Sequence, residues 1–168
     1  MKRNQFIKSF GISSLIIPVA VPLFSFSKPQ EDPKLDKNIV EEFVRVSHGK
    51  LDVVTELLKE YPNLLNAAHD WKFGDFETGL GAASHVGNKE IAKYLISKGA
   101  QGNIFTLALF GKTDILKAMI EFSPSLLYAK GPHGLTLLHH ANKGGEDALE
   151  TKEYILSLGL KETQFPLY

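Results

Sequence analysis

The sequence predicts an all-α fold: a solenoid of about four helix-turn-helix repeats with irregular fingers, preceded by a signal peptide. Three observations carry this expectation. Four glycines, Gly49, Gly87, Gly111 and Gly145, anchor segments with related apolar spacing. A proline-led hexapeptide recurs at the same offset as two of those glycines. The first 27 residues begin basic, continue apolar and end small.

The N-terminal segment comes first in the chain. Lys2, Arg3 and Lys8 precede an apolar run from about Phe10 to Phe26, and Ser25 and Ser27 stand at −3 and −1 of a cut before Lys28. That is the anatomy of a signal peptide over residues 1–27. The run falls short of the ~20 residues of a membrane span, and Pro18 and Pro22 interrupt it as a helix. An uncleaved anchor is the alternative. Arg3-Asn4-Gln5-Phe6-Ile7-Lys8 partly resembles a twin-arginine export motif, with Asn4 in place of the second arginine; the general secretory route competes with it. The expected location is periplasmic or secreted, with no stable membrane insertion after cleavage, or else an N-terminally tethered form. Residues 28–37, rich in Pro and charge, read as a flexible leader.

The body follows from composition. The 168 residues are 43% apolar and 23% charged, with zero formal net charge, enough for one domain with a real core. Three of the 19 basic residues lie in the signal segment, leaving 16 against 19 acidic ones. A mildly acidic body has no electrostatic claim on nucleic acid. The absence of cysteine excludes disulfides, thiolate metal sites and Cys nucleophiles.

The repeat spans about residues 38–159, in units of about 38–69, 70–100, 101–130 and 131–159. After each of the first three anchor glycines an acid follows at +3 (Asp52, Glu90, Asp114), facing the positive end of a helix dipole. Apolar pairs follow at +4/+5 and +8/+9: Val53/Val54 and Leu57/Leu58, Ile91/Ala92 and Leu95/Ile96, Ile115/Leu116 and Met119/Ile120. This spacing lines one helix face. The fourth unit slips to Ile155/Leu156, as if two residues were inserted. A shorter helix precedes each glycine, marked at −7 and −4 by Leu80/Ala83, Ile104/Leu107 and Leu138/Ala141; the first unit has Glu42 and Arg45 there, as expected of a terminal repeat with one wet face. Pro62-Asn63-Leu64-Leu65-Asn66-Ala67 mirrors Pro124-Ser125-Leu126-Leu127-Tyr128-Ala129. Units two and four end instead at Gly99 and Gly159, typical C-cap residues.

Thr136-Leu137-Leu138-His139-His140-Ala141, nine residues before Gly145, resembles the ankyrin signature Thr-Pro-Leu-His-x-Ala. Thr78-Gly79-Leu80-Gly81-Ala82-Ala83 fills the same frame before Gly87, and Gly87 to Ile96 resembles the second ankyrin helix. The glycine spacings of 38, 24 and 34 depart from the family's ~33. They imply a large finger over 66–77, a gap at Gly99–Gly102 and a second finger near Lys130–Gly134. The resemblance implies a non-catalytic scaffold that binds a protein through fingers and concave face, and an internal hydrogen-bonding role for His139.

Two loops carry the candidate contact residues. His69, Asp70, Trp71 and Phe73 lie with Phe76 in the large finger, mixing aromatics and charge as interface anchors do. Trp71 is read as such an anchor; the alternative is that Trp71 and Phe76 cover the base of their own loop. His133 sits on the Gly131-Pro132-His133-Gly134 turn. The expected partner is an unidentified protein and the expected state a monomer, with no cofactor and no metal. The six histidines include no His-x-x-x-His pair, and His48 and His85 beside their anchor glycines read as structural. Asp70, Asp75 and Glu77 read as solvated loop acids. No phosphate loop or Gly-x-Ser-x-Gly is present, so no enzyme is expected. The second functional reading is a small-molecule or metal sensor in the notch between the fingers, requiring His69, Asp70 and His133 to converge. The tail, 160–168, reads as docking on the last repeat, with a recognition peptide as the alternative.

Overall fold

A computed structural model describes residues 34–168. The segments read as a signal peptide (1–27) and most of that read as a leader (28–37) lie outside the described residues.

The described chain is mostly helical, as its 3.6-residue apolar spacing demands. Eight α-helices occur among the described residues: α1 Lys37–Val46, α2 Leu51–Glu60, α3 Gly79–Val86, α4 Lys89–Ser97, α5 Ile104–Leu109, α6 Thr113–Phe122, α7 Leu137–Gly144 and α8 Leu149–Ser157. They form four consecutive pairs. The first helices contact one another in series, α1 with α3, α3 with α5 and α5 with α7, while each second helix packs on its own partner. Side-chain caps mark the starts of α1, α3, α4, α5 and α7. Thr78 Oγ1 accepts from the Gly81 N–H at 3.0 Å and Asn103 Oδ1 from the Phe105 and Thr106 N–H groups, satisfying donors that a helix leaves orphaned. Asp52, Glu90 and Asp114 each fall in a first turn.

The proline hexapeptides become matching 3₁₀ turns, Pro62–Asn66 and Pro124–Tyr128. The slip in the fourth unit is a further 3₁₀ turn, Gly145–Ala148, ahead of α8. The large finger is an antiparallel hairpin: β1 Ala68–Asp70 pairs with β2 Phe76–Thr78, His69 opposite Glu77. No strand occupies 99–103. The 24-residue spacing has a packing consequence. With α5 only six residues long, α7 reaches α3 directly, and His139 Nε2–H donates to the His85 carbonyl at 2.8 Å.

The core forms two clusters. One gathers Phe43, Val54, Leu64, Leu80, Ile91 and Leu95; the other gathers Leu116, Leu127, Leu137, Leu138, Ile155 and Leu160. Only part of the anticipated stripe is fully inside: Val54, Leu95, Leu116 and Ile155 are buried, whereas Ile96, Ile115 and Leu156 keep substantial exposure. The tail docks. Leu160 is buried, the Thr136 N–H donates to the Thr163 carbonyl at 3.1 Å, and the Phe165 N–H to the Gly134 carbonyl at 2.8 Å. Gly134 has φ +73, and a Cβ there would collide with the Phe165 carbonyl, so only glycine lets the tail lie against the second finger.

Candidate functional site

The site begins with strand alternation. In β2, Phe76 and Thr78 point to one side and Glu77 to the other, which puts Glu77 inward with 1% exposure. Asp75, just before the strand, is 5% exposed. The expectation that the finger's acids are simply solvated is therefore corrected for these two; Asp70 alone of the three is exposed. Burying a carboxylate costs several kcal/mol unless other groups compensate it; both Asp75 oxygens have hydrogen-bond partners, whereas only Oε2 of Glu77 does.

Four elements supply Glu77's partners. Trp71, past the end of β1, donates Nε1–H to Glu77 Oε2 at 2.8 Å. His85, in the last turn of α3, brings Nε2 to 2.9 Å from Oε1. His48, in the turn after α1, lies 3.7 Å from Oε2, and so does His133 Nε2 from the second finger. His48 Nε2 and His85 Nε2 are 3.0 Å apart. Burial by itself pushes the Glu77 pKa up, but the close approach of His85, the Trp71 N–H and, less, nearby His48 outweigh it, and the group titrates below the usual glutamate range.

Asp75 clamps His133. Its Oδ1 accepts the His133 backbone N–H at 2.7 Å and its Oδ2 faces His133 Nδ1 at 2.8 Å. His133 adopts φ +59 and ψ +17, a left-handed conformation uncommon for a residue with a side chain, and the two-point clamp holds it there. The finger's own turn is equally defined: Asp70 Oδ1 accepts the Gly74 N–H at 3.0 Å, and Phe73 has φ +51.

The residues anticipated from sequence thus divide. Trp71 is half-buried, packs against the first core cluster and bonds Glu77, as the loop-covering alternative described. His69 meets the Trp71 ring edge-on at 4.6 Å between centroids, and His133 lies 6.2 Å from the same ring. Phe73 is 88% exposed, at 6.0 Å from the Tyr168 ring. Asp70 caps its turn. His69, Asp70 and His133 do not converge on one point; among the described residues, the side chains that do so with metal-ligand spacing are His48, Glu77 and His85, their ligand atoms all within 4.8 Å.

His48 and His85 were read only as structural residues beside glycines. A signal was available: they sit one and two residues before the anchor glycines of consecutive units, and equivalent ends of stacked helices become neighbours. His139 and His140 lie apart from this cluster's centre; His140 Nδ1–H donates to the Thr136 carbonyl at 2.8 Å, and its Nε2 is buried without a partner.

Comparison with protein-family models and with curated proteins returns no match.

Proposed function

We propose that this chain is an exported, non-catalytic scaffold of ankyrin type that binds a partner protein through its fingers and concave face. The observation that carries the reading is the hairpin tip. Phe73, at 88% exposure, stands beside Tyr168, at 75%. A large aromatic ring gains about 2 kcal/mol when fully buried, and here the Asp70–Gly74 turn holds one out in water where no fold requirement puts it. Rigid aromatics of this kind serve as interface anchors. Trp71 and His133, tied to Glu77 and Asp75, support the tip from within; Phe73, His69 and Asp70 offer the contact.

Alanine at both Phe73 and Tyr168 removes the tip without touching the buried cluster. We expect the double variant to keep the native Tm within about 2 °C, since surface changes cost under about 0.5 kcal/mol, and to lose the protein that the native chain retains from a periplasmic extract. Retention unchanged by the double variant would defeat the assignment of the contact. For export, N-terminal sequencing of the protein recovered outside the inner membrane should begin at Lys28. Recovery with Met1 in the membrane fraction would favour the tethered form. Among the described residues no helix is long and apolar enough to cross a membrane.

A further inference from the structure

We propose that His48, Glu77 and His85 form a binding site for a divalent metal ion, Zn²⁺ by ligand type. This goes beyond the scaffold reading and does not depend on it.

The argument starts from where the protons are. His48 Nδ1 lies 3.1 Å from two carbonyl oxygens, those of Val44 and Arg45. A carbonyl only accepts, so Nδ1 carries a proton, and in the neutral form of the ring the Nε2 lone pair turns inward. His85 Nε2 stands between that lone pair, at 3.0 Å, and Glu77 Oε1, at 2.9 Å. It has one proton at most and cannot serve both. The ring geometry directs a hydrogen bond along the imidazole pair, and Glu77 Oε1, fully buried, is left with no hydrogen-bond donor. An unsatisfied buried charged oxygen costs upwards of about 1–3 kcal/mol. A cation held by both Nε2 atoms and Oε1 satisfies all three lone pairs at once.

The spacing fits. Metal–ligand bonds of about 2.0–2.2 Å put tetrahedral ligand atoms about 3.3–3.5 Å apart, and the two close contacts here need to open by only about half an ångström. Two imidazoles with one carboxylate favour zinc and its transition-metal neighbours over Mg²⁺ or Ca²⁺, which take oxygen. The surroundings match those of ligating side chains, whose far atoms are held by outer partners. His48 Nδ1 is held by carbonyls and Glu77 Oε2 by the Trp71 N–H. His133, one ring nitrogen fixed by Asp75, turns the other toward Glu77 Oε2. A bound ion would tie α1, α3 and the hairpin together.

The test uses the full-length chain, stripped with chelator and titrated with Zn²⁺ against a chromophoric indicator. We expect one equivalent bound with submicromolar Kd, and Tm raised by about 8 °C at a hundred-fold excess over Kd. His48→Ala/His85→Ala should weaken binding at least 100-fold. Because that variant removes partly buried groups, a second readout uses the native protein alone. The ring signals of His48 and His85 should shift in proportion to Zn²⁺ up to one equivalent, while those of His69 and His140 stay in place. No stoichiometric zinc, or zinc that leaves the His48 and His85 signals unmoved, would overturn the proposal.

Discussion

Lowering the pH from 7 to 4 is expected to cost the protein about 3 kcal/mol of stability through His140 alone. This side chain is fully buried. Burial is the largest influence on it and depresses its pKa; the hydrogen bond to the Thr136 carbonyl opposes that, His139 and His85 add to it, and Glu77 opposes it weakly. The net result is a pKa lowered to about 4. The unfolded chain binds the proton near pH 6.5. A depressed folded-state pKa contributes stability that is present above pH 6.5 and is lost as pH falls toward 4. A gap of ~2.5 units corresponds to ~3 kcal/mol. His139, also depressed chiefly by burial, acts in the same direction. Urea unfolding at pH 7, 6, 5 and 4 should show this loss, and His140→Leu should flatten most of it. A variant that loses stability with acid as steeply as the native protein would refute the assignment to His140.

Glu77→Ala is expected to cost about 3 kcal/mol in chelator-treated protein at pH 7. The truncation leaves the Trp71 Nε1–H without its acceptor, at about 1–3 kcal/mol, and opens a void beneath a half-buried indole. It also removes the one group that His48, His85 and His133 share. Glu77→Gln keeps the volume and an acceptor for Trp71 but not the charge, and should cost about 1 kcal/mol. Its acid behaviour is a further check. The depressed Glu77 pKa contributes stability present above pH ~4.5, lost as pH falls through the lower folded value, and Glu77→Gln should abolish that part of the acid limb. Denaturation midpoints for native, Gln and Ala proteins in one buffer decide the matter; an Ala variant within about 0.5 kcal/mol of native would show that the buried carboxylate contributes little.

Much of the helical framework was legible because it depends on local rules. Acids at +3 from the glycines fall in first turns, the proline hexapeptides fold as matching 3₁₀ turns, and the 38-residue spacing leaves room for the 68–78 hairpin. The docking of the tail is expected from Phe165, Leu167 and Tyr168, large apolar residues at a chain end; Phe165 packs on the second core cluster, while Tyr168 stays exposed. The same reasoning misjudged Asp75 and Glu77, because composition marks the loop as polar without saying which side of a strand faces the core. Between the contact-anchor and loop-covering readings of Trp71, its bond to a buried acceptor six residues on favours the second.

What the sequence determined by itself is the series of helix pairs and the positions of their fingers, since glycine, proline and the 3.6-residue period act over a few residues. Only the tertiary structure decided the site. His48 and His85 stand 37 residues apart and Asp75 and His133 stand 58 apart; neither pair has a local signature. They meet because α1 and α3 pack on one another and because Asp75 of the first finger holds His133 of the second, and a carboxylate is tolerated at that junction only when groups from several elements offset its burial.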